Sequence, residues 1–370
     1  MDIDAIQQQQ LSVLWAAFVI AIAFGFIIQR THFCTMGAIS DIVTMGVWTR
    51  MRMWASAVAV AMVGYNTMAW FGWIDPSQTI YAQARVTWLS ALVGGLLFGL
   101  GMVLASGCAS KTLARIGSGS LKSLTVFFVM GFAAYATLSG VFAVLRVNTV
   151  DRLSFTLSDG ATVPLWLAHL TGFDPSQMAL ITGWLVGLVL FGWALRGPDF
   201  RTSQCMLGSL GIGLCVVAMW WVTGHLGFVA EHPETLQAVY LATDSGRMES
   251  LSFTAPMAYT LDWLMLFSDR SNVLSVGVVA VAGVVLGALL QSLLDKRFRW
   301  EGFQGTRDTA LHLAGAVCMG VGGVTALGCT VGQGLSGLST LSVTSLIAVA
   351  AMVAGGILGL RLQVRLLAHG

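Results

Sequence analysis

The fold is decided by two similar stretches of sequence: GGLLFGLGMVLASGCASKTL at residues 94–113 and AGAVCMGVGGVTALGCTVGQGL at residues 314–335. Each is a glycine-rich apolar run that ends in a Gly-Cys pair, at Cys108 and Cys329, followed by small and polar residues. With the two cysteines aligned, identical residues also coincide at Gly94/Gly315, Gly99/Gly320, Gly101/Gly322, Val103/Val324, Ala105/Ala326 and Gly107/Gly328. So many coincidences in a short stretch predict an internal repeat.

The composition around these stretches is that of a membrane protein. Of the 370 residues, 56% are hydrophobic and only 10% are charged, whereas about a quarter of the residues in an ordinary globular domain are charged. The mean hydropathy is +0.80. This composition excludes an ordinary water-soluble domain, and the absence of a basic block argues against nucleic-acid binding. We therefore predict an all-α integral membrane protein.

Nine apolar stretches are long enough to cross a membrane, which takes about 20 helical residues. They lie at about 11–29, 53–72, 89–107, 121–146, 178–196, 204–225, 273–294, 309–327 and 340–360. The first is expected to be an uncleaved span, because residues 1–10 carry no Lys or Arg. These stretches predict one transmembrane domain over residues 1–370, with a first repeat at about 11–146, a second at about 178–360 and an outer loop at about 226–272.

Orientation follows from the basic residues, which collect in cytoplasmic loops. If all nine stretches cross, one side holds Arg50, Arg52, Lys111, Arg115, Lys122, Arg196, Arg201, Lys296, Arg297, Arg299, Arg307, Arg361 and Arg365. The N-terminus is then periplasmic and the C-terminus cytoplasmic. The two Gly-Cys stretches run in opposite directions, so we predict inverted, pseudo-symmetric repeats with a substrate site near the membrane midplane.

The Gly-Cys pairs are expected to interrupt helices at membrane depth. Such breaks are tolerated where the free backbone lines a polar cavity or is buried in protein. They expose amide N–H groups and a positive helix end, which attract anions. We expect the amides near Gly107, Ala109, Gly328 and Thr330 to stabilise the negative charge of a small anionic substrate.

The six cysteines show neither a C-x-x-C motif nor zinc-type spacing, and we expect no metal ion or cofactor. Cys215 and Cys318 lie inside apolar spans and are interpreted as small buried hydrophobes. Cys34 lies in a third break, beside His32. The sequence around Cys205 is weakly similar to that around Cys34. Whether Cys205 lies on the same substrate path as Cys34 is left open.

The motifs His32-Phe33-Cys34-Thr35-Met36-Gly37, Ser106-Gly107-Cys108 and Leu327-Gly328-Cys329-Thr330 resemble those of the YeeE/YedE family of bacterial inner-membrane proteins. The resemblance covers nearly the whole chain. It implies an hourglass-shaped helical fold with short re-entrant helices and uptake of thiosulfate. It also implies that Cys34, Cys108 and Cys329 contact the ion, and that a small cytoplasmic sulfur-carrier protein is a partner.

Thiols suit this task because a neutral S–H is a weak donor with a polarizable sulfur. Weak contacts let an ion leave as readily as it enters. We hypothesise that thiosulfate passes from one cysteine to the next without a covalent bond, the thiols staying protonated because no cation is expected nearby.

Three further residues are candidates for contact with the substrate. Lys111 is expected to attract the anion at the inner mouth, although a lysine there also fits the cytoplasmic side of a helix. His32 is a candidate hydrogen-bond donor or proton carrier, or a structural loop residue. Gln333 is a candidate supporting donor.

Two other classes of function stay open. A membrane sulfurtransferase or thiol redox enzyme would use Cys108 or Cys329 as a nucleophile beside a cation or base. A non-transporting subunit would dock a sulfur carrier on its basic face. Within the transporter interpretation, sulfite, sulfide or selenite are alternative substrates, and the energy source and oligomeric state are left open.

Overall fold

Each of the nine apolar stretches forms a long helix in the computed structural model, which describes residues 3–157, 160–233, 236–269 and 273–368. The helices of the described residues are α1 (Ile3–Thr31), α2 (Thr35–Met45), α3 (Thr49–Trp70), α4 (Trp88–Leu104), α5 (Ala109–Gly117), α6 (Leu121–Leu138), α7 (Val141–Asn148), α8 (Val163–Thr171), α9 (Pro175–Leu195), α10 (Ser203–Trp221), α11 (Thr254–Met265), α12 (Val276–Leu294), α13 (Thr306–Thr325) and α14 (Val343–Ala368). The all-α, multi-pass membrane class is confirmed.

Within the described residues, seven segments are long and apolar enough to cross a membrane. They are Asp4–Met45, Trp88–Gly117, Leu121–Leu138, Pro175–Leu195, Ser203–Leu226, Val276–Leu294 and Val343–Arg365. Helices α3 and α13 are not among them. Helix α3 includes Arg50 and Arg52 in its first turn, α13 includes Asp308, and both pack against several other helices. A helix that is enclosed by protein needs fewer apolar residues, so nine crossings remain a prediction.

The predicted stretch 121–146 is wrong as a single span. Helix α6 ends at Leu138, and the amphipathic helix α7 starts at Val141 after the turn at Gly140. A β-carbon added to Gly140 would lie 2.9 Å from the carbonyl oxygen of Ala136, so this turn needs glycine. None of the α7 residues is buried.

The interface between α4 and α13 is made by glycines of the two repeated stretches. A β-carbon added to Gly94 would lie 2.7 Å from the Gly322 carbonyl oxygen, and one added to Gly101 would lie 2.7 Å from that of Gly315. The two helices are therefore antiparallel and in close backbone contact. The sequence repeat aligns Gly94 with Gly315 and Gly101 with Gly322. Gly94 therefore contacts the residue that aligns with Gly101, and Gly101 contacts the residue that aligns with Gly94.

The neighbouring helices show the same reciprocal pattern of contacts between the two halves of the chain. Helix α4 packs against α14 and α13 against α6, while α1 packs against α12 and α10 against α3. Similarly, α2 packs against α3 and α11 against α12. In this pattern of contacts α11 takes the place of α2, and the Cys205 segment occupies a different position from the Cys34 segment. Cys205 lies at the start of α10, whereas Cys34 follows the end of α1.

Three connecting segments, between α3 and α4, between α7 and α8, and between α10 and α11, lie together on one face. Strand β1 (Arg85–Val86) pairs antiparallel with β2 (Phe155–Thr156), and an isolated bridge joins Thr79 to Met248. The loop at 226–272 contains β3 (Phe228–Val229) paired with β4 (Val239–Tyr240), and then α11. The sequence did not predict α11. Residues 270–272 of this loop lie outside the described residues.

Candidate functional site

The three breaks share one local geometry. Each cysteine follows, by two residues, a non-glycine residue with positive φ: His32 (53°), Ser106 (55°) and Leu327 (60°). A left-handed residue at this position ends the preceding helix, and it costs about 1–2 kcal/mol when it carries a β-carbon. The surrounding packing must therefore hold all three breaks in place.

Each cysteine then lies at the start of a new helical turn. Cys34 and Cys108 are the N-cap residues of α2 and α5, and Cys329 precedes a π-helical segment, Gly332–Gly337. At Cys34 and Cys329 the amide N–H three residues later points to the sulfur. Gly37 N and Gly332 N lie 3.4 Å from the sulfurs of Cys34 and Cys329. The Cys108 side chain makes no such capping bond.

The structure brings the three predicted cysteines into one buried cluster. Their exposed fractions are 8% for Cys34, 1% for Cys108 and 0% for Cys329. Cys34 and Cys329 are each within electrostatic reach of Cys108. The Ser110 hydroxyl lies 3.4 Å from the Cys108 sulfur. Of the six cysteines, these three alone follow helix breaks.

The backbone donors differ in part from the expected ones. The N–H groups of Gly107 and Gly328 donate to the carbonyls of Met102 and Gly323 at 2.8 Å, which closes the ends of α4 and α13. In the described state these two amides are therefore engaged within the chain, and their contact with an anion stays a prediction. The amides of Ala109 and Thr330 start the next turns and find no acceptor among the described residues.

Two of the remaining candidates surround the cysteine cluster. Lys111 is half-buried and within electrostatic reach of both Cys34 and Cys108. The expectation that no cation lies near the thiols is therefore wrong. His32 is exposed and lies near Lys111, Arg50 and Arg297, at a basic mouth on one side of the cluster.

Gln333 has a structural role in the described state. It is fully buried, its Nε2 donates to the Ala326 carbonyl at 2.6 Å, and its Oε1 accepts from the Ser345 hydroxyl at 2.5 Å. Both ends of its amide are therefore occupied by protein. The thiol of Cys205 interacts only with the carbonyl of Asp199 among the described residues, at 3.9 Å, which gives it no part in the cluster.

A cavity of about 240 Å³ leads from the outer loops to Gly328, beside Cys329. Its lining includes Arg146, Asp244 and Glu249. Burial, followed by the nearby charge of Asp244, raises the pKa of the Glu249 carboxyl to about 8. An adjoining cavity of about 150 Å³ shares Arg146 and reaches Gln333. We call the two cavities together the outer vestibule.

Sequence reasoning missed two aromatic residues of the site. The Tyr81 hydroxyl donates to the carbonyl of Gly332 at 2.8 Å, which ties an outer loop to the segment after Cys329. Trp54 of α3 packs against Gly334. In the sequence both residues resemble ordinary interfacial or core aromatics. No three His, Cys, Asp or Glu side chains among the described residues are grouped closely enough to hold a metal ion.

Comparison with known proteins identifies one family and several relatives. The sequence model of the family described as "Sulphur transport" matches residues 30–358. The chain is 29% identical over 335 residues to the thiosulfate transporter TsuA of Escherichia coli, covering 88% of this chain and 87% of that protein. It is 25% identical over 345 residues to the thiosulfate transporter TsuA of Spirochaeta thermophila, covering 91% and 94%.

A more distant relative covers half of the chain. The probable transporter YedE of Escherichia coli is 26% identical over 186 residues, which is 49% of this chain and 43% of that protein. All of these relatives bear the names of transporters, which agrees with the prediction that this chain is not an enzyme.

Proposed function

Because the chain belongs to the sulphur-transport (YeeE/YedE) family, we propose that it takes up thiosulfate, or a closely related small sulfur anion, into the bacterial cytoplasm through the cluster of Cys34, Cys108 and Cys329. The observation that carries the proposal is the recurrence of one geometry at all three cysteines. Each thiol is buried at the start of a new helical turn, two residues after a residue with positive φ, and the sulfurs of Cys34 and Cys329 each accept from the amide N–H three residues later.

The path runs from the outer vestibule to the basic mouth. An anion enters between the outer loops, where Arg146 lines both cavities. It then meets Cys329, whose neighbour Gly328 forms part of the vestibule wall. Beyond Cys329 it passes Cys108 and Cys34 and leaves beside Lys111 and His32, among the basic residues of the cytoplasmic face.

At the cluster, charge and thiols act together. The helix starts and the unengaged amides of Ala109 and Thr330 favour an anion, and Lys111 adds a full positive charge. In their protonated form the thiols donate weak S–H hydrogen bonds to the sulfur end of thiosulfate. No contact in this set is strong enough to trap the ion, as conduction from site to site requires.

The symmetry of the packing supports an inverted-repeat architecture. Across the antiparallel interface of α4 and α13, Gly94 and Gly101 contact the residues that align with Gly101 and Gly94 in the repeat. The neighbouring helices show the same reciprocal pattern of contacts. A two-fold axis in the membrane plane would produce this pattern. With nine crossings, the N-terminus is periplasmic and the C-terminus cytoplasmic, in the inner membrane. The chain between α10 and α11 is then an insertion, because only three residues separate α1 from α2.

The basic cytoplasmic face also suits a small sulfur-carrier protein as a partner that receives the anion. Sulfite, sulfide and selenite are the alternative substrates of the same path.

The proposal is tested by growth on thiosulfate as the sole sulfur source in a bacterium that lacks thiosulfate uptake. The wild type should restore growth, and Cys108→Ala and Cys329→Ala should each abolish it at equal membrane expression. Cys215→Ala is the matched control because Cys215 is buried within α10 and does not follow a helix break. Failure of the wild type to restore growth would refute thiosulfate as the substrate.

A further inference from the structure

The two cavities of the outer vestibule differ in the charged side chains that line them. The smaller cavity, of about 150 Å³, is lined by Arg85, Arg146 and Asp151. The larger cavity is lined by Arg146, Asp244 and Glu249. Cations therefore outnumber acids in the smaller cavity, and acids outnumber cations in the larger one. Because charges act more strongly where little water screens them, an incoming anion is favoured in the smaller cavity.

The two arginines of the smaller cavity are held differently. Arg85 of β1 donates from Nη2 to the Asp151 carbonyl at 2.6 Å and from Nε to the Ser154 hydroxyl at 2.8 Å, which fixes its guanidinium on the outer loops. The Arg146 side chain is 18% exposed, and its Nε lies 3.4 Å from Asp151 Oδ2 without completing a hydrogen bond. Arg146 is therefore the cation of this cavity whose partner among the described residues is held loosely.

Asp151 occupies the position of an anion beside Arg146. Its Oδ1 accepts a hydrogen bond from the Ser90 hydroxyl of α4 at 2.6 Å, and its Oδ2 faces Arg146. An ion pair this long, with both side chains partly exposed, contributes little stability. An oxyanion is a stronger partner for a guanidinium, because two of its oxygens can accept hydrogen bonds at once. Asp151 is thus an internal competitor for Arg146 that an entering oxyanion can displace.

The smaller cavity also reaches the helix break before Cys329. Its lining includes Thr325, at the end of α13, and Leu327, the residue with positive φ two positions before Cys329. One water needs about 10–15 Å³ of such a space, so a cavity of about 150 Å³ accepts a small oxyanion together with water. An anion held by Arg146 therefore lies directly before the cysteine cluster.

We propose that the smaller cavity is a first binding site for the transported anion, where Arg146 exchanges Asp151 for a sulfur oxyanion before the anion reaches Cys329. This rests on the proposed function, and it assigns the recruitment of the substrate on the outer side to Arg146 and Asp151. It also narrows the substrate class. An oxyanion gains from the guanidinium through its charge and its oxygens, whereas uncharged hydrogen sulfide gains nothing from it.

Two substitutions change this site in opposite directions. Arg146→Gln removes the cation and keeps a polar side chain, and Asp151→Asn removes the competing charge and keeps an acceptor for Ser90. If the ion pair only stabilised the fold, both substitutions would weaken uptake. Arg152→Gln is the matched control, because Arg152 is an exposed arginine of the same segment that donates to Asn148 and lines neither cavity.

The experiment measures the KM for external thiosulfate in vesicles that contain the purified full-length protein, together with its Kd for thiosulfate and its thermal unfolding in detergent. We expect Arg146→Gln to raise the KM and the Kd about ten-fold, as loss of a hydrogen bond to a charged group does. Asp151→Asn should lower both constants about two- to five-fold, the range of a partly exposed ion pair. Arg152→Gln should leave both at their wild-type values.

The possible failures are distinguishable. If folded Arg146→Gln leaves the KM and the Kd unchanged, or if folded Asp151→Asn raises them, the cavity is not a binding site, while the proposed function stands. If the folded wild type takes up no thiosulfate, the proposed function fails, and the Kd values of the variants still decide whether the cavity binds an oxyanion. Because the two substitutions are independent, misfolding of one variant leaves the other to decide.

Discussion

Gly101 and Gly315 face each other across the α4–α13 interface, and a β-carbon added to either would lie 2.7 Å from the carbonyl oxygen of the other. The relation is reciprocal although the two residues lie in different halves of the chain. It sets the distance between the two helices that end just before Cys108 and Cys329. The packing of these glycines therefore positions two of the three cysteines.

Substitution of either glycine by alanine should separate α4 from α13. We expect Gly101→Ala and Gly315→Ala each to lower the free energy of unfolding by about 1–3 kcal/mol, as overpacking of a close interface does. Thermal unfolding in detergent and thiosulfate uptake measure the effect. The two variants should be similar, because each added methyl group meets the same kind of atom.

The matched control for this prediction is Gly192→Ala in α9. A β-carbon at Gly192 meets no atom within 4 Å, and replacing a glycine inside a helix with alanine is otherwise favourable by about 0.5–1 kcal/mol. The control should be as stable as the wild type or slightly more stable. Equal stability of Gly101→Ala and Gly192→Ala would contradict the close contact.

The outer vestibule should make uptake depend on external pH. Burial raises the pKa of Glu249 to about 8, so its carboxyl is mostly neutral at pH 7 and becomes negative as the pH rises past 8. A new negative charge in the vestibule, beside Asp244, repels an entering anion. The KM for thiosulfate, measured in vesicles with the outside buffered between pH 7 and pH 9, should therefore rise with pH.

Glu249→Gln removes the titrating group and should leave the KM nearly constant over this range. Glu231→Gln is the control, because it removes an acidic side chain from an exposed position of the same loop. This control should keep the wild-type pH dependence. A wild-type slope that persists in Glu249→Gln would assign the pH dependence to another group.

Lys111 should contribute to anion binding through its charge. It is within electrostatic reach of Cys34 and Cys108, so Lys111→Gln is expected to raise the thiosulfate KM roughly ten-fold, as loss of a charged partner does. Arg299→Gln removes a charge from an exposed position of the same basic face and should have little effect. Equal effects of the two variants would mean that only the overall charge of the face matters.

Much of the fold was predictable because helix length and hydropathy are local properties of the sequence. The apolar stretches predicted the long helices, the two Gly-Cys pairs predicted the breaks at Cys108 and Cys329, and the polar segment around His32 predicted the break at Cys34. The turn at Gly140 and helix α11 were missed. Gly140 lies inside an apolar run, which hides the turn. Helix α11 lies in a loop, where a helix does not have to be long and apolar enough to cross a membrane.

The side chains of the cysteines, Lys111 and His32 could be selected from the sequence, whereas the backbone donors and the aromatic neighbours of the site could not. The sequence does not show that the amides of Gly107 and Gly328 close the preceding helices, since this depends on left-handed residues at Ser106 and Leu327. Nor does it show that Trp54 Nε1 is buried without a partner, because that results from the packing of three helices and the segment after Cys329. Both properties are tertiary.

The most direct test of thiosulfate uptake through the cysteine cluster is accumulation of radiolabelled thiosulfate in liposomes that contain the purified protein alone. The account predicts uptake by the wild type and by Cys215→Ala, and loss of uptake in Cys108→Ala with the protein still folded. Uptake by Cys108→Ala at the wild-type rate would contradict the account.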